Sequence, residues 1–231
     1  ALPISSLAVL ALANFSTTQT NRSEGLQWLA NATSTNSDYL SKKAEAFIRL
    51  REPYSDLLAE LVPRQNTDGG WGLDEKKYDS NPLDTACVLR SLSLANFSDP
   101  AVIASSIGYL IASQRPDGSW GCDEYQDDVR TTARVLDAFA AYNDDYSLET
   151  SVQNGLAWLY GKQNSDGGFG NSPSTVYDTA LALIAMQRLN ADAGVKNNAL
   201  NYILDLQSSN GSWYDSPYQT ALAVGAIWDS L

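Results

Sequence analysis

A short sequence pattern recurs four times along the chain at nearly constant spacing. In each copy a glutamine is followed by a glycine four residues later and by an aromatic residue six residues later. A decayed fifth copy is Gly25–Leu29, which matches Gly155–Leu159. A fixed period of this length indicates a repeat fold, because a single repeat cannot bury its hydrophobic face alone. The copies are spaced by 49, 49 and 44 residues. The glutamine and the aromatic residue of each copy are Gln65 with Trp71, Gln114 with Trp120, Gln163 with Phe169, and Gln207 with Trp213.

Two kinds of helix alternate within these repeats. The helix before each glutamine is amphipathic, as the i, i+4, i+7 spacing of Val152, Leu156 and Leu159 indicates. The helix after each aromatic residue is apolar on every side, for example over residues 180–186, and must be enclosed. The alternation predicts an all-α fold, an α/α toroid in which a barrel of about six inner helices is sheathed by five outer helices. The inner helices are predicted to begin near Ser5, Tyr39, Asp84, Thr131, Asp178 and Gln219.

The toroid is expected to occupy residues 1–231 as a single domain, since this length suffices for one large core. An open helical solenoid is the alternative architecture. The Asp-Gly pairs at 68–69, 117–118 and 166–167 are expected to end the outer helices, with glycine as a left-handed cap. Asp84 and Asp178 stand where N-caps of inner helices are expected.

The repeated pattern, aromatic-aliphatic-x3-Gln-x3-Gly-x-Trp, resembles the QW motif of the squalene and oxidosqualene cyclase family. The segments Leu83–Ala86 and Tyr177–Ala180 resemble the Asp-Thr-Ala element of the same superfamily of terpene cyclases and protein prenyltransferases. The resemblance extends over roughly residues 25–231. It implies that the glutamines are structural clamps that tie the end of one helix to the start of the next and stack on the tryptophans.

The resemblance also locates the position where a class II terpene cyclase keeps its general acid, the middle aspartate of an Asp-x-Asp-Asp-Thr-Ala motif. Such an acid must protonate an alkene or epoxide, which requires clustered aspartates and a dry pocket. In the four aligned segments of this chain the position is held by Leu83, Arg130, Tyr177 and Tyr218. No catalytic residue is therefore predicted.

The other members of the superfamily also require residues that this chain lacks or spaces differently. Protein prenyltransferases use a zinc ion with a histidine ligand, and the chain contains no histidine. Complement-type thioester domains carry Cys-Gly-Glu-Gln, whereas residues 121–126 place an extra residue between Cys122 and Gln126. The cobalamin carriers use the toroid for binding alone, and a binding role of this kind stays among the alternatives for this chain.

The net charge of −12 excludes nucleic acid and anionic lipid as partners. It also suits diphosphate substrates poorly, unless a local basic pocket intervenes. The small basic cluster of Lys42, Lys43, Arg49 and Arg51 is interpreted as a solvated helix face. No run of about 18 apolar residues occurs, so no membrane insertion is predicted.

The turns after the aromatic residues and the starts of the inner helices are expected, from the family geometry, to surround one mouth of the barrel. Tyrosines and carboxylates around an apolar funnel suit a hydroxylated ligand, a sugar or a cation. For Asp84 and Asp178 helix capping is the competing interpretation. The candidate ligand-binding residues are Tyr78, Asp84, Asp123, Tyr125, Asp128, Arg130, Tyr177, Asp178, Tyr214 and Tyr218.

No metal ion or cofactor is predicted. The carboxylate run at residues 123–128 contains oxygen ligands of the kind that Ca²⁺ takes, but its spacing matches no calcium loop, and a solvated turn is the preferred interpretation. Cys87 and Cys122 lie near neighbouring inner helices, and the sequence leaves open whether they form a disulfide or two free thiols.

These observations favour a non-catalytic toroid domain of a secreted or surface protein, which binds a small-molecule or protein ligand at a cup rimmed by tyrosine and aspartate. The alternatives are a small class II terpene cyclase-like enzyme with a divergent acid, a cobalamin-carrier-like domain and a structural module. An extracellular or cell-surface location is expected from the few lysines, the many Asn, Ser and Thr residues and the acidity. Because Leu231 directly follows an inner helix, the chain is expected to be part of a longer one.

Overall fold

The computed structural model describes residues 19–74, 79–122 and 128–228. Within this part the only strand-like pairings are isolated bridges from Phe169 to Gln163 and to Thr175, so the predicted all-α class is confirmed. A short 3₁₀ turn, Val62–Arg64, follows the third helix. The α-helices are α1 (Gln19–Asn31), α2 (Ser37–Leu50), α3 (Ser55–Leu61), α4 (Pro82–Leu94), α5 (Pro100–Ala112), α6 (Asp128–Ala140), α7 (Glu149–Tyr160), α8 (Val176–Arg188), α9 (Ala193–Asp205) and α10 (Pro217–Trp228).

The helices form two layers. The inner layer consists of α2, α4, α6, α8 and α10, each packed against the next, and α3, α5, α7 and α9 pack outside α2, α4, α6 and α8 in turn. The inner helix α8 buries residues on every side, whereas the outer helix α9 buries only Ala199 and Ile203. The predicted α/α toroid is thereby confirmed. The inner helix expected near Ser5 lies outside the described residues.

The inner helices begin two or three residues earlier than predicted. Asn81, not Asp84, is the N-cap of α4: its side-chain oxygen accepts from the Asp84 N–H at 2.8 Å, and Asp84 Oδ2 accepts from Asn81 Nδ2 at 2.6 Å. Thr175 and Asp178 repeat this exchange at α8. The prediction of aspartate N-caps was therefore wrong by three residues. Each aspartate is the second half of a variant of the capping box, in which it accepts a hydrogen bond from the side chain of the N-cap residue and not from its backbone N–H.

The glycine of each repeated turn has a positive φ, but it does not cap the outer helix as predicted. Helix α5 ends at Ala112, and its C-cap, Ser113, is right-handed. Gly118, with φ of 93°, lies farther on in a tight turn, in which the Gly118 N–H donates to the Arg115 carbonyl at 2.9 Å. A Cβ atom at Gly118 would lie 2.5 Å from the Asn154 carbonyl oxygen of α7, so both the conformation and the close approach require glycine.

The glutamine side chains join consecutive outer helices. Gln114 Nε2 donates to the Gly118 carbonyl in its own turn and to the Ser151 carbonyl at the start of α7, both at 2.9 Å. Gln65 and Gln163 make the equivalent pairs of bonds to α5 and α9, and Gln207 donates to the Gly211 carbonyl at 3.0 Å. Each of the first three glutamines thus fixes the distance from one outer helix to the next.

The aromatic residue of each turn joins an outer helix to the next inner helix. Trp120 is fully buried, its indole Nε1 donates to the Leu110 carbonyl of α5, and its backbone N–H donates to Thr132 Oγ1 of α6 at 3.0 Å. Trp71 and Trp213 repeat both bonds. The indole therefore donates to a helix carbonyl ten residues earlier in the chain, a bond that the sequence did not predict.

We expect Gly118→Ala to destabilise the protein far more than Gly211→Ala. Both glycines have φ above 80°, but a Cβ at Gly211 meets nothing within 4 Å. The left-handed backbone alone costs about 1 kcal/mol at Gly211, and the contact with Asn154 raises the loss at Gly118 to roughly 3 kcal/mol. Urea unfolding of both variants measures the difference, and equal losses would contradict the steric argument.

The glutamine bonds lead to a second expectation for stability. Gln114→Ala removes the bond to the Ser151 carbonyl of the next outer helix as well as the bond within the turn, while Gln207→Ala removes a bond within an exposed turn. The free energy of unfolding should fall by roughly 2 kcal/mol for Gln114→Ala and by about 1 kcal/mol or less for Gln207→Ala. The comparison is made by chemical denaturation, and a larger loss at Gln207 would refute it.

Candidate ligand site at the mouth of the barrel

A partly open cavity of about 450 Å³ lies where the first two turns of the five described inner helices meet. The starts of α4, α6, α8 and α10 converge there because each one follows a repeated Gln-Gly-aromatic turn, which fixes its position against the preceding outer helix. We call this space the mouth cavity. Its described lining residues are Asp38, Tyr39, Lys42, Leu83, Cys87, Arg130, Arg134, Tyr177, Ser216, Tyr218 and Gln219.

The residues at the position where a cyclase keeps its general acid meet in the mouth cavity. Leu83, Arg130, Tyr177 and Tyr218, which the sequence alignment placed there, all line the cavity. Helix α2 contributes Asp38, which is the second residue of its helix just as Leu83, Tyr177 and Tyr218 are of theirs. The one carboxylate at an equivalent position therefore comes from the helix that was left out of the alignment.

The described lining carries more positive than negative charge, although the whole chain is acidic. Lys42 Nζ lies 3.4 Å from Asp38 Oδ1 and donates to Cys87 Sγ at 3.7 Å. Arg130 and Arg134, one helical turn apart on α6, add two further cations. The interpretation of the basic cluster as a solvated face was wrong for Lys42 and Lys43, which are each only 7% exposed.

The protonation states in the mouth cavity follow from burial and from these charges. Burial acts to raise the pKa of the Asp38 carboxyl, but Lys42, Arg134, a hydrogen bond with Cys87 and Arg130 together outweigh it, so that this pKa lies below its usual value. Burial raises the pKa of the Cys87 thiol to about 12. At neutral pH Asp38 is thus a carboxylate and Cys87 a thiol, and neither is suited to donate a proton to an alkene.

Two tyrosines form one wall of the cavity. The rings of Tyr177 and Tyr218 stack with their centroids 5.5 Å apart and their planes at 26°. The Arg130 guanidinium carbon lies 5.8 Å from the Tyr177 ring centroid, within the range of a cation–π contact. These contacts fix the rings and one cation beside the open space.

The predicted ligand-binding residues separate into several groups. Arg130, Tyr177 and Tyr218 line the mouth cavity, whereas Asp84 and Asp178 are buried in their capping boxes and are not part of its lining. Tyr214 is 57% exposed on the turn after Trp213 and does not line the cavity. The candidates whose side chains lie outside the described part of the structure are Tyr78, Asp123, Tyr125 and Asp128.

Sequence reasoning missed Asp38, Lys42, Cys87 and Arg134 as lining residues. A signal for them was present: the start Asn36-Ser-Asp-Tyr can be aligned with Asn81-Pro-Leu-Asp on the N-cap asparagine. Four residues after Asp38, Leu83 and Arg130 come Lys42, Cys87 and Arg134. They line the same cavity because residues four apart lie on the same face of a helix.

Further features bear on metals, thiols and membranes. Cys87 and Cys122 are free thiols, which decides the question that the sequence left open. Among the described residues there is no group of three Cys, Asp or Glu side chains able to hold a metal ion. Within the same ranges no helix has both the length and the apolarity needed to cross a membrane.

A family model described as the squalene-hopene cyclase C-terminal domain matches residues 83–221, which is more than half of the chain. The chain belongs to this family. The match begins at the second residue of α4 and includes the starts of α6, α8 and α10, and hence most of the mouth cavity. No curated protein matches the chain by sequence.

Solved structures show the same fold at low sequence identity. Ent-copalyl diphosphate synthase from Streptomyces platensis matches with a TM-score of 0.77 and 18% identity over 99% of this chain, which spans only 50% of that protein. A variant of the type II terpene cyclase MstE from Scytonema, in complex with its substrate geranylgeranyl dihydroxybenzoate, matches with a TM-score of 0.76 and 16% identity over 98% of this chain and 86% of its own. A possible member of the GH105 family from Salmonella enterica also matches, with a TM-score of 0.66 and 14% identity over 99% of this chain and 82% of its own. The fold is therefore terpene cyclase-like, and proteins of other chemistry share it.

We expect Asp84 to make stability fall as the pH rises towards neutrality. Burial raises the pKa of Asp84 to about 6, against the opposing effect of the Asn81 hydrogen bond. Between its unfolded value near 4 and this folded value the native state binds the additional proton, so the stabilisation is present below about pH 4 and is lost as the pH passes about 6.

The measurement compares the wild type with Asp84→Asn at pH 4.5 and pH 7. The wild type should lose about 2 kcal/mol of unfolding free energy relative to Asp84→Asn over this interval. Asp56→Asn, at an exposed position on α3, removes the same charge and serves as the control. Parallel pH profiles for all three proteins would contradict the assignment to Asp84.

Proposed function

We propose that this chain is a non-catalytic, terpene cyclase-like α/α toroid domain that binds a ligand in the mouth cavity. The observation that carries the proposal is the set of residues at the cyclase acid position. Leu83, Arg130, Tyr177 and Tyr218 are not carboxylic acids, and the equivalent Asp38 is held ionised by Lys42 and Arg134. None of these side chains is suited to begin cyclisation by protonating an alkene.

The charge of the lining also opposes cyclase chemistry. Terpene cyclisation passes through carbocations, which an active site must stabilise with negative charge or aromatic rings. In the mouth cavity Lys42, Arg130 and Arg134 would repel such an intermediate, and Asp38 is already paired with Lys42 at 3.4 Å. Among the described lining residues only Tyr39, Tyr177 and Tyr218 offer π-electron density, and Arg130 already occupies a position over Tyr177.

The size and lining of the cavity support a binding role. A volume of about 450 Å³ lies within the range of small-molecule sites, which combine aromatic walls with a few polar groups. A purely structural module would instead be expected to fill its barrel with side chains.

The proposal treats residues 1–231 as one toroid domain and the glutamine turns as counterparts of QW motifs. An extracellular or cell-surface location is part of the proposal and rests on composition alone.

A second candidate function is a type II terpene cyclase with a divergent acid, and one observation favours it. Asp84 is a buried carboxyl in the Asp-Thr-Ala segment, next to the lining residue Leu83, and its pKa of about 6 leaves part of it protonated near neutrality. Two of the solved structures of this fold are terpene cyclases or synthases by name. In this candidate Asp84 would be the proton donor.

A product assay separates the two functions. The protein is incubated with squalene, geranylgeranyl diphosphate and geranylgeranyl dihydroxybenzoate, and the products are analysed by mass spectrometry. We expect no cyclised product above that formed without protein, since the lining holds no strong acid. A cyclised product that forms with the wild type and disappears with Asp84→Asn would establish the cyclase and overturn the non-catalytic proposal.

A further inference from the structure

The described lining of the mouth cavity offers mainly hydrogen-bond donors. Lys42, Arg130 and Arg134 donate and cannot accept, and Asp38 is the only carboxylate among these residues. The Asp38 carboxylate and the Lys42 ammonium neutralise one another at 3.4 Å. With three cations and one carboxylate, the described lining keeps a net charge of two positive units that a ligand can balance.

Arg134 has donor capacity that the described residues leave unused. Its Nη2 atom is buried, and it has no hydrogen-bond partner among them. A buried guanidinium N–H without an acceptor costs free energy, because the group has lost its water without gaining a bond. Other atoms of Arg134 line the mouth cavity, and a reorientation of its guanidinium toward a ligand there would let an acceptor supply the missing bond.

The helix ends add to the positive potential. The cavity lies at the first two turns of the five described inner helices, so their N-termini converge on it. Each N-terminus carries a partial positive charge of roughly half an elementary charge. The first turns of α2, α4 and α8 also hold one aspartate each, Asp38, Asp84 and Asp178, and these offset part of this potential. The net positive charge at the cavity therefore comes mainly from the side chains of α6.

The spacing of the two arginines suits a group with several acceptor oxygens. Arg130 and Arg134 lie one turn apart on the same face of α6, and guanidinium forks bind carboxylates and phosphates in a bidentate manner. The cavity has room for about 15 water-sized volumes, which exceeds the needs of one such group and leaves space for an organic remainder.

Building on the proposed binding function, we infer that the ligand of the mouth cavity is a small organic dianion, a dicarboxylate or a phosphate monoester, held by Arg130 and Arg134. The ligand replaces water at the Arg134 guanidinium and balances the two charges that Asp38 leaves unpaired. Tyr177 and Tyr218 then border its organic part. Arg130 and Arg134 are binding residues in this assignment, and no bond is made or broken in the ligand.

Calorimetric titration of the whole chain at neutral pH and low salt tests the inference. The probes are malonate and inorganic phosphate, with acetate as a singly charged control and malonamide as a neutral one. We expect one equivalent of malonate or phosphate to bind at least about tenfold more tightly than acetate, and malonamide not to bind, because the second charge and its bonds add roughly 1.4 kcal/mol or more. A preference for phosphate identifies a phosphate monoester, and a preference for malonate identifies a dicarboxylate.

Substitutions locate the binding site. Arg130→Gln and Arg134→Gln should each weaken binding of the preferred probe at least about tenfold. Arg51→Gln removes the same charge at an exposed position beyond the far end of α2 and should leave the dissociation constant within about twofold. Thermal melting checks that each variant is folded. If Arg134→Gln does not fold, Arg130→Gln and Arg134→Lys provide the comparison, and the lysine should weaken binding because it lacks the guanidinium fork.

Three results would overturn the inference. They are the absence of binding by both dianions, equal binding of malonamide and malonate, and unchanged binding in the folded Arg130 and Arg134 variants. None of them bears on the non-catalytic role, which depends on the separate product assay. A cyclised product would remove the proposed function, whereas failure of the dianions alone would remove only the ligand class.

Discussion

The structure depends on a hydrogen-bonded turn in which one glutamine side chain serves two outer helices at once. Gln114 Nε2 binds the carbonyl of its own turn and that of Ser151 in the next outer helix, while the Trp120 backbone N–H binds Thr132 of the next inner helix. The turn therefore sets the position of three helices with neutral bonds, of which the Trp120 bond is buried and the two glutamine bonds are partly buried. Its repetition places the starts of the inner helices together at one end of the barrel.

The mouth cavity is a consequence of this regularity. Because equivalent residues of successive inner helices face the same space, its chemistry is decided by a few positions near each helix start. In this chain those positions carry Asp38, Leu83, Arg130, Tyr177 and Tyr218. A strongly acidic chain thus encloses a locally basic space, because the charge of the whole surface does not determine the charge of a cavity lined by five helix ends.

The architecture could be predicted from the sequence because its signals are local and repeated. The alternation of amphipathic and fully apolar helices gave both layers, and the alignment of helix starts correctly placed Arg130, Tyr177 and Tyr218 together. Lys42 could be found only by extending this alignment to the start of α2, and its burial depends on contacts with Asp38 of its own helix and with Cys87 of α4. Asp84 was misjudged for a local reason: an asparagine three residues earlier is the better N-cap.

The residues at the start of α4 show how this fold can change its chemistry without changing its turns. Asp84 and Thr85 keep their structural bonds, with Asp84 in the capping box and Thr85 accepting from the Trp71 N–H at 2.9 Å. Leu83, the residue between this box and the cavity, makes no such bond and is free to differ in character. The side chain at that position decides whether the barrel mouth holds an acid, a fixed charge or an apolar surface. It can change because the hydrogen bonds that fix the helix start are made by the neighbouring residues. In this chain the charges come from α2 and α6, on either side of Leu83, and they make the mouth a place for an anion.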